Sequence, residues 1–204
     1  MVEKLFILLF LLSLIYGFKN RNLSIEEIDN EYQIEFDHKG RLISEGNYKN
    51  GLKDARWCYY FLIDSIFENK FDQIAYAREQ LVRKEGYFNQ GNQSNYWNCY
   101  YSNGNKEAEG WFINGQKVRF WKYYDVEGLA VSEGHYLKGE KDGWWREFLP
   151  QQSIMKKGKY QKGMKSGYWQ KYQEEELIAV SKFDMGIHVA TWTSYEDYLN
   201  WKKD

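Results

Sequence analysis

The hydrophobic residues of this chain recur with a fixed period instead of clustering in long runs. From about residue 45 onward, an aromatic residue stands two positions after a glycine among mostly polar neighbours, which is the alternation of a half-buried β-strand. A tryptophan follows eleven residues after the same glycine, and another aromatic residue comes three positions later. Asn-Gly pairs such as Asn50-Gly51 and Asn114-Gly115 favour tight turns. The pattern predicts units of two short strands, each followed by a turn.

Five such units can be aligned on a leading glycine. The first two glycines are 40 residues apart and the others follow at intervals of 24, so one unit has gained an insertion. A degraded sixth copy from Ser181 lacks the leading glycine but keeps Trp192. Because one unit buries too little surface to stand alone, neighbours must stack. We therefore predict an all-β fold, an elongated antiparallel meander of 24-residue hairpins over residues 33–195. The leading glycines are Gly46, Gly86, Gly110, Gly134 and Gly158.

The insertion, residues 64–80, reads as a short amphipathic helix. Ser65 and Glu68 form a capping-box signature at its start. We expect the helix to fold onto a sheet face, either to cover exposed aromatic rings or to act as a lid specific for a partner. Residues 196–204 are predicted to cap the last hairpin. The apolar positions at helical spacing are Ile63, Phe67, Phe71 and Ile74.

The N-terminal segment resembles a secretory signal peptide. Lys4 precedes an apolar run at residues 5–16, and Gly17 follows it. The run has about 12 residues, fewer than the roughly 20 that a membrane-spanning helix needs. Residues 1–17 are therefore predicted to be removed, with the mature chain starting near Phe18 and a spacer at residues 18–32. Secretion, or a place in the periplasm or cell envelope, is favoured over anchoring by this segment.

The two cysteines occupy different offsets within their repeats. Cys58 follows its leading glycine by twelve residues and Cys99 by thirteen, so regular alternation places them on opposite strand faces. A disulfide would need an intervening bulge. The recurrent tryptophan and the aromatic residue three positions later would also point to opposite faces of a regular strand. Either a bulge brings them to one face, or the sheet has rings on both faces.

Composition and motifs argue against several classes of function. A formal net charge of -1 and a pI near 6.4 provide no basic field for nucleic-acid binding. Aromatic residues make up 19% of a chain whose mean hydropathy is -0.76, which is typical of rings that keep one polar edge wet. His38, His135 and His188 stand at unrelated offsets, and no nucleophile, phosphate-loop or zinc motif occurs. We predict a protein that is not an enzyme and uses no cofactor or metal.

Two sets of side chains are candidates for binding. Extra aromatic residues one or ten positions after the leading glycines could form a ladder for a carbohydrate, a peptide or a partner sheet, or simply fill the second sheet face. Residues 138–171 carry nine Lys or Arg against three acidic residues. Four lysines beside turn glycines are expected to gather along one rim, as weak contacts for an anionic membrane surface or as turn solvation. The first set is Tyr87, Trp111, His135, Tyr96, Phe120, Trp144 and Tyr168, and the second is Lys138, Lys141, Lys162 and Lys165.

The repeated pattern EGxYxxGxxxGxWxxYYxxG resembles the MORN-repeat superfamily over about residues 33–195, and most closely the variant of bacterial envelope and secreted proteins that is often labelled antitoxin-type. The resemblance implies an elongated meander used as a scaffold or binding surface, with membrane or lipid association proposed for some members. It implies no chemistry. We therefore expect an exported, non-enzymatic binding or scaffold module with a protein partner; the alternative is an antitoxin-like inhibitor of a partner protein. Departures from the pattern occur at Ala55, Asn95, Arg119 and Ala190, where the second glycine is missing.

Overall fold

The computed structural model describes residues 30–62, 64, 67 and 69–203, and these form a single antiparallel sheet of thirteen strands. The strands follow one another across the sheet in chain order, so the predicted all-β meander of hairpins is confirmed. The strands are β1 (Asn30–Phe36), β2 (Leu42–Lys49), β3 (Leu52–Tyr60), β4 (Val82–Asn89), β5 (Asn92–Tyr100), β6 (Lys106–Ile113), β7 (Gln116–Tyr124), β8 (Ala130–Leu137), β9 (Glu140–Leu149), β10 (Ile154–Gln161), β11 (Met164–Gln173), β12 (Glu176–Asp184) and β13 (Ile187–Trp192).

Two helices and one 3-10 turn accompany the strands. Helix α1 (Lys70–Gln80) joins β3 to β4 within the inserted segment, and α2 (Tyr195–Trp201) follows β13. The 3-10 turn (Pro150–Gln152) joins β9 to β10. Neither helix of the described chain is long and apolar enough to cross a membrane. The predicted signal segment lies outside the described residues, and β1 begins inside the stretch predicted to be a spacer.

A tight turn joins the two strands of each hairpin. Between β8 and β9, for example, Lys138 and Gly139 have φ values of 50° and 86°. Two positive φ angles in succession suit the right-handed twist of a hairpin. The turn glycine also donates its N–H to the preceding hairpin, from Gly139 to the Lys117 carbonyl at 2.9 Å and from Gly163 to the Lys141 carbonyl at 2.9 Å. We call this side of the sheet the turn edge, since its turns tie neighbouring hairpins together.

A wide bulge interrupts each complete hairpin. Gly134 pairs with Trp145, but the next residue pairs three positions further back on β9, so β9 carries two extra residues. The same shift recurs in the other four complete repeats. One extra residue, nine positions after the leading glycine, has a left-handed backbone. Its φ is 71° at Gly143 and 66° at Gly167, and 56°, 58° and 59° at Ala55, Asn95 and Arg119. Three positions that lack the second glycine therefore keep the backbone that glycine favours.

One face of the sheet is built of tryptophan rings that lie over glycines. A Cβ atom added to each leading glycine would lie 2.2–2.6 Å from carbons of the indole above it, far inside normal contact distance. Each indole Nε1 also donates to the carbonyl of the residue after that glycine, at 2.9–3.1 Å. The leading glycine recurs because the ring occupies its side-chain space. The rings of this tryptophan face, each at most 3% exposed, are Trp57, Trp97, Trp121, Trp145 and Trp169.

Smaller rings between the tryptophans complete an aromatic ladder. Five of them stand two residues after a leading glycine, and Phe183 holds the same place in the sixth copy. They meet neighbouring tryptophans edge to face, the inner four on both sides, with centroids 5.1–6.4 Å apart and interplanar angles of 73–90°. Each such contact is worth about 0.5–1.5 kcal/mol beyond the buried area. Stabilisation therefore runs across the repeat boundaries. The smaller rings are Tyr48, Phe88, Phe112, Tyr136, Tyr160 and Phe183.

Helix α1 packs on the opposite side of the sheet, which we call the helix face. Leu42, Tyr60 and Ala77 form a buried cluster there, with Ile74 at its border. The predicted helix on a sheet face is thus confirmed. Glu45 of β2 receives two hydrogen bonds from the Arg78 guanidinium of α1, at 2.5 Å and 2.8 Å, and one from the Tyr60 hydroxyl. A polar clamp therefore fixes α1 next to its apolar contacts.

The start of α1 differs from the expected one. Its N-cap is Asn69, whose Oδ1 accepts from the Asp72 N–H at 3.0 Å. The predicted capping box at residues 65 and 68, and Ile63 of the apolar pattern, lie outside the described residues. Phe71 is 80% exposed, so its predicted packing is wrong. The helix residues in the core cluster, Ile74 and Ala77, lie beyond the first turn, which leaves Phe71 without an apolar partner in the sheet.

The degraded sixth copy turns its tryptophan to the helix face. In a complete repeat the leading glycine pairs with the tryptophan, as Gly134 does with Trp145. In the last hairpin Val180 pairs with Trp192, and the bulge carries one extra residue in place of two. Alternation therefore places Trp192 on the other side, where its ring lies 4.8 Å from that of Trp201 in α2. Trp192 is therefore not part of the tryptophan face, and α2 caps the hairpin on the helix face.

The cysteines lie on opposite faces, and both are free. Cys58 lies on the helix face, with its Sγ 3.9 Å from a Glu85 carboxylate oxygen. Cys99 follows the strand alternation onto the tryptophan face, where it pairs with Ala108. The bulges do not bring the two sulfurs together. The sheet therefore contains both bulges and rings on both faces, so the two alternatives left open by the aromatic spacing are both present.

Candidate binding surfaces on the two faces of the sheet

The seven residues predicted to line a ligand or partner surface lie together on the helix face. The strand register pairs Tyr96 with Trp111 and Phe120 with His135 across neighbouring hairpins. These rings meet edge to face, with centroids 5.6 Å and 5.2 Å apart. We call the set the aromatic strip: Tyr87, Tyr96, Trp111, Phe120, His135, Trp144 and Tyr168.

The aromatic strip fills the second sheet face and remains open to solvent. Tyr87, Trp144 and Tyr168 are 45%, 58% and 47% exposed. Helix α1 packs against β2 and β4, and α2 packs against β13, so the two described helices lie at opposite ends of this face. A contiguous exposed apolar patch on a protein surface is typical of an interaction site. The strip is therefore the main candidate for a partner surface on this face.

Cationic side chains lie against two rings of the strip. The guanidinium carbon of Arg119 is 4.7 Å from the Trp111 ring centroid, and the Lys159 ammonium is 5.3 Å from the Trp144 centroid. A cation over an aromatic face is attracted by the negative charge of the ring face. The strip thus combines apolar area with positive charge at its margins.

A row of glutamates next to the strip is compensated inside the protein. Glu85 accepts a hydrogen bond from Arg56 at 2.6 Å. Burial works against ionisation of Glu109, but hydrogen bonds from Lys106 and Tyr124 outweigh it and lower the pKa of this carboxyl. Among the described residues no three His, Cys, Asp or Glu side chains are grouped as a metal site would require. These carboxylates therefore serve as local structural partners.

A cleft next to α2 extends the strip. It has a volume of about 480 Å³ and is lined by Tyr168 of the strip together with Val180, Trp192, Tyr195 and Tyr198. A more polar cleft of about 350 Å³ lies at the opposite end of the face, next to α1. The cleft at α2 offers an apolar pocket into which a partner side chain could insert, continuous with the open rings.

A lysine stands over each tryptophan of the tryptophan face. Four of these lysines come seven residues after a leading glycine, and the fifth comes two residues before one, so the repeat period sets their spacing. We call these five the lysine row. The distances from Nζ to the indole centroid are 3.7 Å for Lys53 over Trp57, 5.9 Å for Lys84 over Trp97, 4.3 Å for Lys117 over Trp121, 4.1 Å for Lys141 over Trp145 and 4.0 Å for Lys165 over Trp169.

The four lysines expected along one rim occupy two different places. Lys138 and Lys162 are exposed residues of the tight turns at the turn edge. Lys141 and Lys165 are half-buried members of the lysine row. The expectation of a single rim is wrong because strand alternation turns the second residue after the turn glycine onto the tryptophan face. The row as a set was not predicted, although lysine seven positions after the glycine in four repeats is a visible signal.

Comparisons with other proteins do not assign a family. No family model matches this sequence, and no curated protein matches it either. Among solved structures, the fold is similar to part of the crystal structure of accessory secretory protein 1, 2 and 3 in Streptococcus pneumoniae, with a TM-score of 0.29 and 17% sequence identity. The similarity covers 67% of this chain and 24% of that one, so this chain spans about a quarter of the neighbour's length. A likeness this distant carries no functional argument.

Proposed function

We propose that this chain is an exported, non-enzymatic binding module that holds a partner protein on its aromatic strip. The observation that carries the proposal is the exposure of the strip, where Trp144 is 58% exposed in the middle of a regular sheet. The tryptophan face is already filled by the rings of the repeats, and the strip adds a second set of large aromatic residues that remain open to solvent. Trp, Tyr and Arg are enriched at the centres of protein interfaces.

Two further parts of the proposal rest on the sequence. The charged and apolar pattern of residues 1–17 supports export, and the repeated glycine-tryptophan pattern supports a variant of the MORN repeat. The intact mass of protein recovered from the medium or envelope should correspond to a chain that starts near Phe18. Recovery of the full-length chain from the cytoplasm would contradict export and favour the antitoxin-like alternative.

The binding proposal is tested by affinity capture with matched variants. The mature chain and a Trp144→Ser, Tyr168→Ser variant are used as baits in medium and envelope fractions, and captured proteins are identified by mass spectrometry. A Leu137→Ser, Ile187→Ser variant is the control, because these residues are 58% and 71% exposed but lie outside the strip. We expect the wild type and the control to retain the same partner and the strip variant to lose it. Capture of the same proteins by all three baits would refute the strip as the binding surface.

A further inference from the structure

The lysine row differs between its ends and its middle. Lys53 at one end forms a salt bridge of 3.4 Å with Glu35, and Lys165 at the other end forms one of 2.8 Å with Glu147. The three lysines between them, Lys84, Lys117 and Lys141, form no salt bridge within the described part of the chain. The tryptophan face therefore has three ammonium groups in its middle without a directly bonded carboxylate.

The two ends show which group fits next to such a lysine. Glu147 accepts from the Lys165 ammonium at 2.8 Å and from the Tyr160 hydroxyl at 2.7 Å. At the other end Glu35 accepts from the Tyr48 hydroxyl at 2.6 Å and from Lys53. In both repeats a carboxylate thus receives one ammonium and one phenol hydrogen bond. Charge-assisted hydrogen bonds of this kind are among the stronger ones in proteins.

The hairpin of β8 and β9 has the equivalent donors, Tyr136 and Lys141, but no carboxylate at the position of Glu147. Tyr123 stands 24 residues before Glu147, and its hydroxyl lies 2.8 Å from that of Tyr136. The Lys117 ammonium donates to the Tyr123 hydroxyl at 2.8 Å. The lysine ammonium can only donate, so it accepts neither phenol proton. One of the two phenol protons forms the bond between Tyr123 and Tyr136, and the other has no acceptor in the described chain. This proton and the Lys141 ammonium are both left for an acceptor from outside.

The electrostatics of the three middle lysines agree with this geometry. Partial burial lowers the pKa of Lys84, Lys117 and Lys141, because it penalises their charged form. Glu107 attracts Lys117 and Glu147 attracts Lys141, without a hydrogen bond to either. A ligand that brings negative charge to these ammonium groups would offset the cost of their partial burial.

We propose that the middle of the tryptophan face binds an acidic polypeptide segment, whose carboxylates provide from outside the acceptors that Glu35 and Glu147 provide at the ends. Lys117 and Lys141 stand at equivalent positions of successive hairpins, two strands apart, which is about 9.6 Å at the usual strand spacing. In a polyproline II segment, which has three residues per turn and rises about 3.1 Å per residue, side chains three positions apart share one side and stand about 9.3 Å apart. The segment therefore carries acidic side chains at such a spacing.

The geometry favours a polypeptide over a membrane surface. The ammonium groups lie 4.1–5.9 Å from indole centroids and are half-buried among the ladder rings. A carboxylate on a flexible side chain can reach between rings, whereas a flat anionic surface meets the protruding turn lysines first. This binding surface lies on the face opposite to the aromatic strip, so it can fail or succeed independently of the proposed function.

The test measures binding of a fluorescein-labelled hexaglutamate peptide by anisotropy, with a hexaglutamine peptide as the neutral probe. A Lys117→Met, Lys141→Met variant removes two ammonium groups and keeps two unbranched apolar side chains over the indoles. A Lys138→Met, Lys162→Met variant removes the same charge from the turn edge. Each lost charge-assisted contact should weaken binding about tenfold or more. We expect at least about a hundredfold loss in the first variant and a change within about twofold in the second.

A second variant guards against effects on folding. Tyr136→Phe keeps the ring of the aromatic ladder but removes a hydroxyl, and it should weaken hexaglutamate binding several-fold. The ¹³Cε shifts of Lys117 and Lys141 should also titrate at higher pH when the peptide is bound. Equal weakening by both double lysine variants, or no binding by the wild type, would overturn the proposal. So would binding of phosphatidylglycerol vesicles through Lys117 and Lys141 when hexaglutamate does not bind.

Discussion

Replacing Gly134 by alanine tests the close contact between glycine and tryptophan. The new Cβ would lie 2.3 Å from Cδ2 of Trp145, where about 3.5–4.0 Å is normal, so the indole must move by more than 1 Å. The ring is 1% exposed and donates to the His135 carbonyl at 2.9 Å, and a shift would weaken that bond and the ring contacts with Tyr136 and Tyr160. Overpacking costs about 1–3 kcal/mol, and full loss of such a ring about 3–5 kcal/mol. We expect a loss of about 3 kcal/mol.

The matched control is Gly143→Ala in the same hairpin. Gly143 has φ of 71° but nothing within 4 Å of an added Cβ, and Ala55 occupies the equivalent position with φ of 56°. Its cost should be only the left-handed backbone strain of about 1–2 kcal/mol. Urea unfolding followed by far-UV circular dichroism measures both variants. Because the alanine acts through the ring, Trp145→Ala should cost at least about 1 kcal/mol less in the Gly134→Ala background than alone. Additive losses, or a smaller loss for Gly134→Ala than for Gly143→Ala, would refute the contact.

Two further predictions concern the last repeat and the clamp on α1. Trp121→Ala removes a ring shared by hairpins on both sides and should cost about 3–5 kcal/mol, whereas Trp192→Ala should cost less and, in hydrogen exchange, expose the amides of α2 and β13 without affecting the central strands. Hydrogen bonds from Arg78 and Tyr60 outweigh burial and lower the pKa of Glu45 in the folded chain. Its contribution to stability is therefore complete above the unfolded pKa of about 4.3 and is lost as pH falls through the folded pKa. The difference in unfolding free energy between wild type and Glu45→Gln should accordingly shrink below about pH 4, and a constant difference would contradict the clamp.

The spacing of glycine and tryptophan was enough to predict the hairpins and their order. The tryptophan eleven residues after a leading glycine packs its ring directly on that glycine, so the spacing in the sequence follows from the packing. The sheet face to which each side chain points was harder to predict from the sequence, because it depends on how many extra residues each bulge contains. The last hairpin shows this, since one residue fewer in its bulge turns Trp192 to the other face.

The binding residues divide in the same way. The aromatic strip could be predicted from the aligned repeats. Residues one and ten positions after the leading glycine lie on the same face, one on each side of the bulge. The lysine row was missed because lysines near turns were assumed to point outward. Lys141 instead lies over Trp145, and only the position of the ring shows that the lysine has an aromatic partner. That the middle lysines form no salt bridge within the described chain becomes visible only when the repeats are compared in three dimensions.

The hydrogen bonds at the turn edge have a practical meaning for protein engineering. There five turn glycines donate to the preceding hairpin, so lengthening one of these turns would disturb two repeats. The five are Gly91, Gly115, Gly139, Gly163 and Gly186. At the opposite edge the backbone bonds of these loops stay within each loop, as from Gly104 to the Tyr101 carbonyl at 3.0 Å and from Gly128 to the Asp125 carbonyl at 3.0 Å. The two loops are linked by side chains instead, since Asn103 and Asn105 donate to the Val126 carbonyl at 2.8 Å and 2.9 Å. The natural 16-residue gain, the difference between intervals of 40 and 24, lies at this second edge. Foreign loops, tags or cross-linking sites grafted at residues 102–104 and 126–128 would therefore stand in a row on one side of the sheet. They would replace these side-chain bonds but leave the pairing of the strands in place.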